Sequence, residues 1–215
     1  MSIRIRKALT HDDEQIMRRI CCETADSGKP INQERWDFWG RWWVEPYFRL
    51  ERNHCWVAED ELGKVQGYLT GTPNSIVFEI KKLLLSTPRF FWGRDVWKNS
   101  RTQEDRRRFL KRALGVERSP FRLFPSEIQK ELLLKYPAHL HVNVDAALRG
   151  RGVGRELYRA FEQQLSKERV SGVHLLCGAA PVGYYLKLGF QIFSKLEIKP
   201  GREVYAMVKA IPAEL

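Results

Sequence analysis

The stretch that most constrains this chain runs from Leu140 to Gly154 and reads LHVNVDAALRGRGVG. Its first half alternates. His139, His141, Asn143 and Asp145 fall on one side of a period of two, and Leu140, Val142 and Val144 on the other, the pattern of a strand with one polar and one apolar face. Asp145-Ala146-Ala147-Leu148 then turns into the run Arg149-Gly150-Arg151-Gly152-Val153-Gly154. Beyond it Leu157, Tyr158, Phe161 and Leu165 recur at helical spacing, so a helix is predicted from Gly152 to about Lys167. Glycines let a backbone come close to a ligand, and the first N–H groups of a helix have no partner within it and point outward with the positive end of its dipole. Arg149 and Arg151 add fixed charge. The stretch reads as an anion cradle, best suited to a pyrophosphate. The apolar face of the strand should pack under the following helix, leaving the polar face to line a cleft. Two histidines at i and i+2 invite a metal reading, but spacing places no third ligand and no metal is expected.

The rest of the chain organises around that core. Ser2 to Ala8 alternates as a first strand. Thr10 then caps a helix with Asp12, Asp13 and Glu14 in its first turn and Ile16, Met17, Ile20 and Cys21 as its apolar face, ended by Gly28-Lys29-Pro30. Trp36, Phe38, Trp39, Trp42, Trp43, Tyr47 and Phe48 read as a second helix burying aromatics and stopped near Pro46, with some rings free to wall an acceptor pocket. Cys55 to Glu59 and Val65 to Thr70 form a hairpin in which Gly67 and Gly71 mark a bulge or a close backbone approach. Residues 73 to 136 are a long excursion with helices expected over Ile80 to Leu85, Arg106 to Leu114 and Ser126 to Lys135, the last capped by Ser126. After the central strand and its helix come a strand at Gly172 to Leu176, a short helix at Pro181 to Leu188 with Gly189 as a left-handed cap, and two strands at Phe190 to Ile198 and Val204 to Lys209 turned by Pro200-Gly201.

Charge is concentrated. Residues 80 to 135 carry 15 Lys and Arg against 6 Asp and Glu, an excess of nine within a formal net charge of +11. A charge run is commonly a solvated face; the sharper reading is a basic lid that steers an acidic substrate. Aromatics interleave with arginines there, but no RNA- or DNA-binding motif is recognisable, which argues against nucleic acid. No apolar run approaches the roughly 20 residues that span a bilayer, and the N-terminus is too polar for a secretory signal. Cys21, Cys22, Cys55 and Cys177 form no CxxC pair and read as reduced thiols of a cytoplasmic protein.

Two motifs carry a family resemblance. Arg149-x-x-Gly152-x-Gly154, between a strand and a helix, resembles the R/Q-x-x-G-x-G/A motif of the GNAT N-acetyltransferase superfamily, and Tyr185-Leu186-Lys187-Leu188-Gly189-Phe190 resembles its Y-x-x-L-G-F. Trp43 to Tyr47, Tyr136 to His141 and Gly172 to Leu175 are similar to the acetyltransferase-like domains found beside O-GlcNAc hydrolases and to their free-standing bacterial relatives. The resemblance implies an α/β (α+β) fold: a central mixed, mostly antiparallel sheet flanked by helices, in one domain over residues 1 to 215, with a basic helical insert at 73 to 136 before the central strand. It implies acetyl-CoA as co-substrate. The pantetheine would pair with backbone of Val142, Asn143 and Val144, and the pyrophosphate would sit on the amides of Arg149, Gly150, Arg151, Gly152, Val153 and Gly154. Tyr185 would protonate the departing thiolate. The base is not set by the resemblance; on the polar strand face His141 and Asp145 are the candidates, with Asn143 orienting. His139 is expected to be peripheral and His174 a satisfied core histidine. One departure stands out: Cys177 to Gly183 lacks the Asn-x-x-Ala that often precedes the tyrosine and contacts the pantetheine arm.

The expected activity is acetyl transfer to an amine by direct attack in a ternary complex. The basic lid favours a small amine bearing a carboxylate or phosphate. The aromatic segment could also serve a homodimer interface. Two other readings stay open: a non-catalytic GNAT-fold module that binds a protein or sugar-modified partner, and a basic protein whose insert holds nucleic acid or membrane, with steep salt dependence as its signature.

Overall fold

The computed structural model describes residues 2–26, 28–86, 104, 105, 107, 111 and 120–212. Seven strands form one sheet: β1 (Arg4–Lys7), β2 (Cys55–Glu59), β3 (Val65–Thr72), β4 (Ala138–Val144), β5 (Gly172–Cys177), β6 (Gln191–Lys199) and β7 (Arg202–Ala210). Their spatial order is β1-β2-β3-β4-β5-β7-β6. Every neighbouring pair is antiparallel except β4 and β5, which run parallel. The sheet is therefore mixed and mostly antiparallel, as the sequence implied.

Helices cover both faces. On one, α1 (His11–Thr24), α2 (Trp36–Trp43), α3 (Glu45–Leu50) and α4 (Ser75–Lys81) lie near the β1-β4 half, where Met17, Ile20, Tyr47, Phe48 and Phe78 bury against Val57 and Tyr68. Two further helices, α5 (Pro120–Leu123) and α6 (Ser126–Lys135), bring Phe124 and Leu132 against Ala206 and Val208. On the other face α7 (Val153–Lys167) lays Leu157, Phe161 and Leu165 across Leu69, Leu140 and Val173. The short α8 (Val182–Lys187) joins β5 to β6. No helix among the described residues is long and apolar enough to cross a membrane.

Local chemistry explains where these elements begin and bend. Thr10 and Asp13 form a reciprocal capping box at the start of α1. Asp13 also takes both forks of Arg6 on β1, at 2.8 and 2.9 Å, so one carboxylate joins the first strand to the first helix. Gly71 lets β3 approach α7: a Cβ there would lie 2.6 Å from the Phe161 ring and 2.8 Å from His139 O. At Ala58/Glu59 the β2–β3 register slips, the bulge foreseen near Gly67.

Three local expectations need correction. The aromatic segment is two helices rather than one: α2 ends at Trp43, near Pro46 as expected, and Pro46 then sits in the first turn of α3, where a missing N–H costs nothing. The helix expected from Ile80 starts at Ser75, capped by the Asn74 side chain, and passes into a π-helical turn at Lys82–Ser86. Ser126 is not the cap of α6: Pro125 holds that position, and the Ser126 hydroxyl bonds Glu127 instead. Most of the helix expected over Arg106 to Leu114 lies outside the described residues.

Burial alone would raise the Asp13 carboxyl, but Arg6 and the N–H groups of Thr10 and Leu9 outweigh it and bring it down to about 2 from 3.8. A depressed carboxylate contributes stability above its unfolded value and loses it as pH falls through the folded one. Asp13→Asn should therefore destabilise the chain by about 3 kcal/mol at neutral pH, the scale for breaking a buried pair. Urea unfolding should show this difference shrinking between about pH 4 and pH 2.

Candidate active site

The parallel junction is nearly unzipped. β4 and β5 pair only at Ala138↔Val173 and His139↔His174. β4 stays paired to β3 through Val144, and β5 stays paired to β7 through Cys177, so the two halves of the sheet diverge beyond the second pair. From Leu140 onward the edge of β4 facing β5 has no strand partner among the described residues. Backbone donors and acceptors in such a wedge must bond water or an extended ligand.

The glycine loop closes one end of this wedge. After β4 a single 3₁₀ turn (Ala146–Leu148) leads to Gly150 at φ +78° and Gly152 at φ +84°. Both are left-handed, and a Cβ at either would meet nothing within 4 Å, so the space in front of them is open. Gly152 caps α7, and its carbonyl accepts from Arg155 and Glu156. The amides of Gly152, Val153 and Gly154 lie ahead of those first bonds and are the partnerless donors of a helix start. Arg149 and Arg151 N–H groups instead make long bonds, 3.4 Å each, to Ala146 and Leu148 carbonyls. The Arg149 guanidinium bonds Gly28 O at 3.1 Å and Val144 O at 3.3 Å, tying the α1–α2 connection to the end of β4. Farther along α7 a cleft of about 320 Å³ is lined by Arg155, Arg159, Lys187, Lys209 and Glu162, and extends the positive surface.

On the polar face of β4 each candidate has a distinct environment. Ser75 spends its one hydroxyl hydrogen on Pro137 O at 2.7 Å, so it accepts from His139 Nδ1–H at 2.6 Å. His139 Nε2 is then left to accept from the Tyr47 hydroxyl at 2.6 Å. Both nitrogens of His139 are thus occupied, and burial together with His141, His174 and Lys82 pushes its pKa well down. It is a fixed, neutral strut rather than the peripheral residue expected. His141 has no hydrogen bond among the described residues. Its ring packs edge-on against Trp43 and Tyr47, each at 5.5 Å between centroids. Burial, and next the charge of Lys82, pushes it down to about 4, so it is neutral at pH 7. The Asn143 amide is taken at both ends, by the Tyr68 hydroxyl at 2.8 Å and by Thr24 at 3.0 Å. Asp145 lies past the strand, where its carboxylate accepts the Ala147 N–H at 3.0 Å. His174 Nδ1 donates to Tyr136 O at 2.6 Å within the core, as expected.

Tyr185 sits on α8 with its ring 5.6 Å from Phe190 and 5.0 Å from Tyr184. Burial raises its phenol above the ordinary value of 10 and keeps it protonated. Tyr184 is pushed up to about 12 for the same reason, and its buried hydroxyl has no hydrogen-bond partner among the described residues. That hydroxyl lies where a Cβ on Gly154 would be 2.5 Å away, so the third glycine of the loop is a packing requirement.

No family model matches the chain. Solved structures do. SsHAT superposes with a TM-score of 0.69 at 24% identity, covering 99% of this chain and 100% of that one. A GCN5-related N-acetyltransferase from Kribbella flavida gives 0.53 at 14% identity over 97% of each chain. This chain has the GNAT fold. Ard1 from Thermoplasma volcanium is a further structural neighbour, with a TM-score of 0.56 at 16% identity over 99% of each chain.

The structure brings His141 and Asn143 onto one face, sets Asp145 to a local turn bond, and sends the Arg149 guanidinium to the carbonyls of Gly28 and Val144. Sequence reading missed Ser75 and Tyr47 as the partners of His139, and Thr70 as the residue opposite His141. Only the β3–β4 register could have found Thr70. Among the described residues no group of three His, Cys, Asp or Glu side chains is placed to hold a metal ion.

Gly154→Ala should destabilise the chain by about 2 kcal/mol through overpacking against Tyr184. Tyr184→Phe alone should be nearly neutral, because it deletes a hydroxyl that has no partner. The double variant should recover part of the loss, a coupling that urea unfolding of the four chains measures.

Proposed function

We propose that this chain is an acetyl-CoA-dependent N-acetyltransferase that passes the acetyl group directly to an amine in a ternary complex. The observation that carries the reading is the unzipped β4–β5 junction leading to a glycine loop at a helix start. The wedge offers unpaired backbone along Val142 to Val144 to a pantetheine arm, which is itself an extended chain of amides. Gly150 and the amides of Gly152, Val153 and Gly154 suit a pyrophosphate, with Arg151 adding charge.

The chemistry then falls to three residues. The amine nitrogen attacks the thioester carbonyl carbon, a C–N bond forms, and the C–S bond breaks as the tetrahedral adduct collapses. Tyr185 gives its phenolic proton to the departing thiolate; burial keeps that proton in place until a stronger base arises beside it. His141, neutral at working pH, takes the proton released from the amine nitrogen, directly or through a water. His139, clamped by Ser75 and Tyr47, holds the neighbouring rings in position. No acyl-cysteine is needed: Cys21, Cys22 and Cys55 are buried, and burial raises all four thiols.

Calorimetric titration with acetyl-CoA tests the donor site. Wild type should bind with a Kd of about micromolar order. Gly152→Asp should lose binding, whereas Gly152→Asn, which places a side chain of the same shape in the same left-handed conformation, should keep most of it. No binding by wild type would overturn the reading. Tyr185→Phe should retain acetyl-CoA binding and lower kcat about 100-fold. With a His141 base near pH 4, kcat/KM should be insensitive to this group through neutral pH and fall only as pH drops toward about 4.

A further inference from the structure

His54 stands in the single 3₁₀ turn between α3 and β2, buried between two carboxylates from distant parts of the chain. Its Nε2 lies 2.9 and 3.0 Å from the two oxygens of Glu168, the residue that caps the C-terminal end of α7. Its Nδ1 lies 3.2 Å from Glu51 Oε2, within ion-pair reach though out of line for a hydrogen bond. Glu51 immediately follows α3. Trp56 on β2 and Phe161 on α7 wall the ring, at 6.5 and 6.4 Å between centroids. One imidazole thus touches the corner from α3 to β2 and the end of the longest helix on the opposite face.

This geometry sets the charge of the ring. A carboxylate only accepts hydrogen bonds, and a neutral imidazole has a proton on one nitrogen and a lone pair on the other. Neutral His54 would aim a lone pair at one of its carboxylates; the imidazolium presents a proton to each. Glu168 has a second need for a cation, because a carboxylate at a helix C-terminus faces the negative end of the dipole. The other charged groups around the ring have partners of their own. Lys81 on α4 reaches the other oxygen of Glu51 at 3.4 Å. Lys7 on β1 bonds Asn53 O and Gln164 Oε1 and feels the charge of Glu168. Arg52 turns its guanidinium over the Phe48 ring, and Gln164 gives its amide to Glu168 at 2.7 Å. Lys167 adjoins Glu168 in the last turn of α7, and burial keeps the Cys55 thiol protonated. Burial works against charge on His54, but Glu51 and Glu168 outweigh it and raise its pKa above the ordinary 6.5. Burial pushes His139, His141 and His174 the other way.

We infer that His54 is a pH-operated staple: charged, it ties the C-terminal end of α7 to the corner between α3 and β2, and the tie slackens as rising pH removes its proton. The inference stands apart from the acetyltransferase reading. α7 begins at the glycine loop and α3 carries Tyr47, so the staple links the helix that starts at the loop to the helix that clamps His139. A folded value raised above 6.5 means stability that is fully present below about 6.5 and lost as pH rises through the folded value. Asp13 loses its contribution in the opposite direction, as pH falls. The two pairs bracket the pH range in which the fold is tightest.

Imidazole NMR titration of the whole chain tests this directly, with the His54 signal assigned by its loss in His54→Gln. Its midpoint should lie above 6.5, with both ring nitrogens protonated at pH 6.5. Glu168→Gln should bring that midpoint down by about one unit or more, and Glu51→Gln should lower it as well. A midpoint at or below 6.5 in wild type overturns the inference, and so does one that neither glutamine variant moves. Urea unfolding supplies the second arm. His54→Gln should lower the urea midpoint at pH 6, and its gap from wild type should shrink toward about pH 9. A gap that stays constant or widens with pH means a ring held for packing alone and sinks the staple. Hydrogen exchange, corrected for its own pH dependence, locates the release: the last turn of α7 should lose protection with rising pH in wild type and not in Glu168→Gln. Equal pH dependence in the two chains counts against it. If His54→Gln fails to fold, the signal is assigned by elimination from variants of the other histidines, and the titration of wild type and Glu168→Gln decides.

Discussion

The structure depends on a parallel contact that holds for two residue pairs and then gives way. β4 and β5 meet at Ala138↔Val173 and His139↔His174 and separate. Each strand is committed on its other side, β4 to β3 over Gly67–Thr72 and β5 to β7 along its whole length. The sheet is thus two well-formed antiparallel halves joined at a narrow root. Gly172 lies at that root, where a Cβ would fall 2.5 Å from Tyr136 and 3.0 Å from Lys135 O, so the chain entering β4 packs tightly over the start of β5. Tight packing below and no pairing above leave a wedge with free backbone groups, a cost that a compact protein retains where something else supplies the partners.

The two faces of β4 divide the labour. Leu140, with Val142 and Val144 behind it, joins the core under α7, whose Leu157, Phe161 and Leu165 seal that side. The opposite face carries His139, His141 and Asn143 into a region walled by Trp43, Tyr47 and Tyr68. A period of two separates an apolar anchor from a polar surface within seven residues. Because α7 packs on the anchor side, its N-terminus arrives at the open end of the wedge without any further device. The glycine loop and the polar face are thus both set by the way one strand, β4, is packed.

Arg149 shows how motif and structure can assign one residue differently. By type and position it reads as charge for an anion. In the fold its guanidinium bonds Gly28 O and Val144 O, and Gly28, at φ +91°, has no room for a Cβ beside it. The residue that opens the loop also clamps the connection between α1 and α2 to the end of the central strand. The charge stays near the loop, but its directed bonds go to holding the α1–α2 connection and the end of β4 in place.

Much of this was legible in the chain alone. The strand, glycine loop and helix at Leu140 to Lys167, the capped first helix, the hairpin at 55 to 72 and the final pair of strands follow from period, caps and turn glycines, which are local properties of consecutive residues. So does the division of β4 into polar and apolar faces. What only the tertiary structure decided is which polar residue does what. His139 and His141 are equivalent in the sequence, two alternating histidines on one face. Ser75 and Tyr47, 64 and 92 positions away in the chain, occupy both nitrogens of the first and leave the second unbonded among the described residues. Asp145, one of two base candidates by its place after the strand, accepts the N–H of Ala147 two residues on. Thr70 carried no signal at all until strand register set it opposite His141. Spacing along a chain encodes which face a side chain takes; hydrogen-bond partners, burial and the charge felt by a ring depend on residues brought from elsewhere, and no local pattern records them.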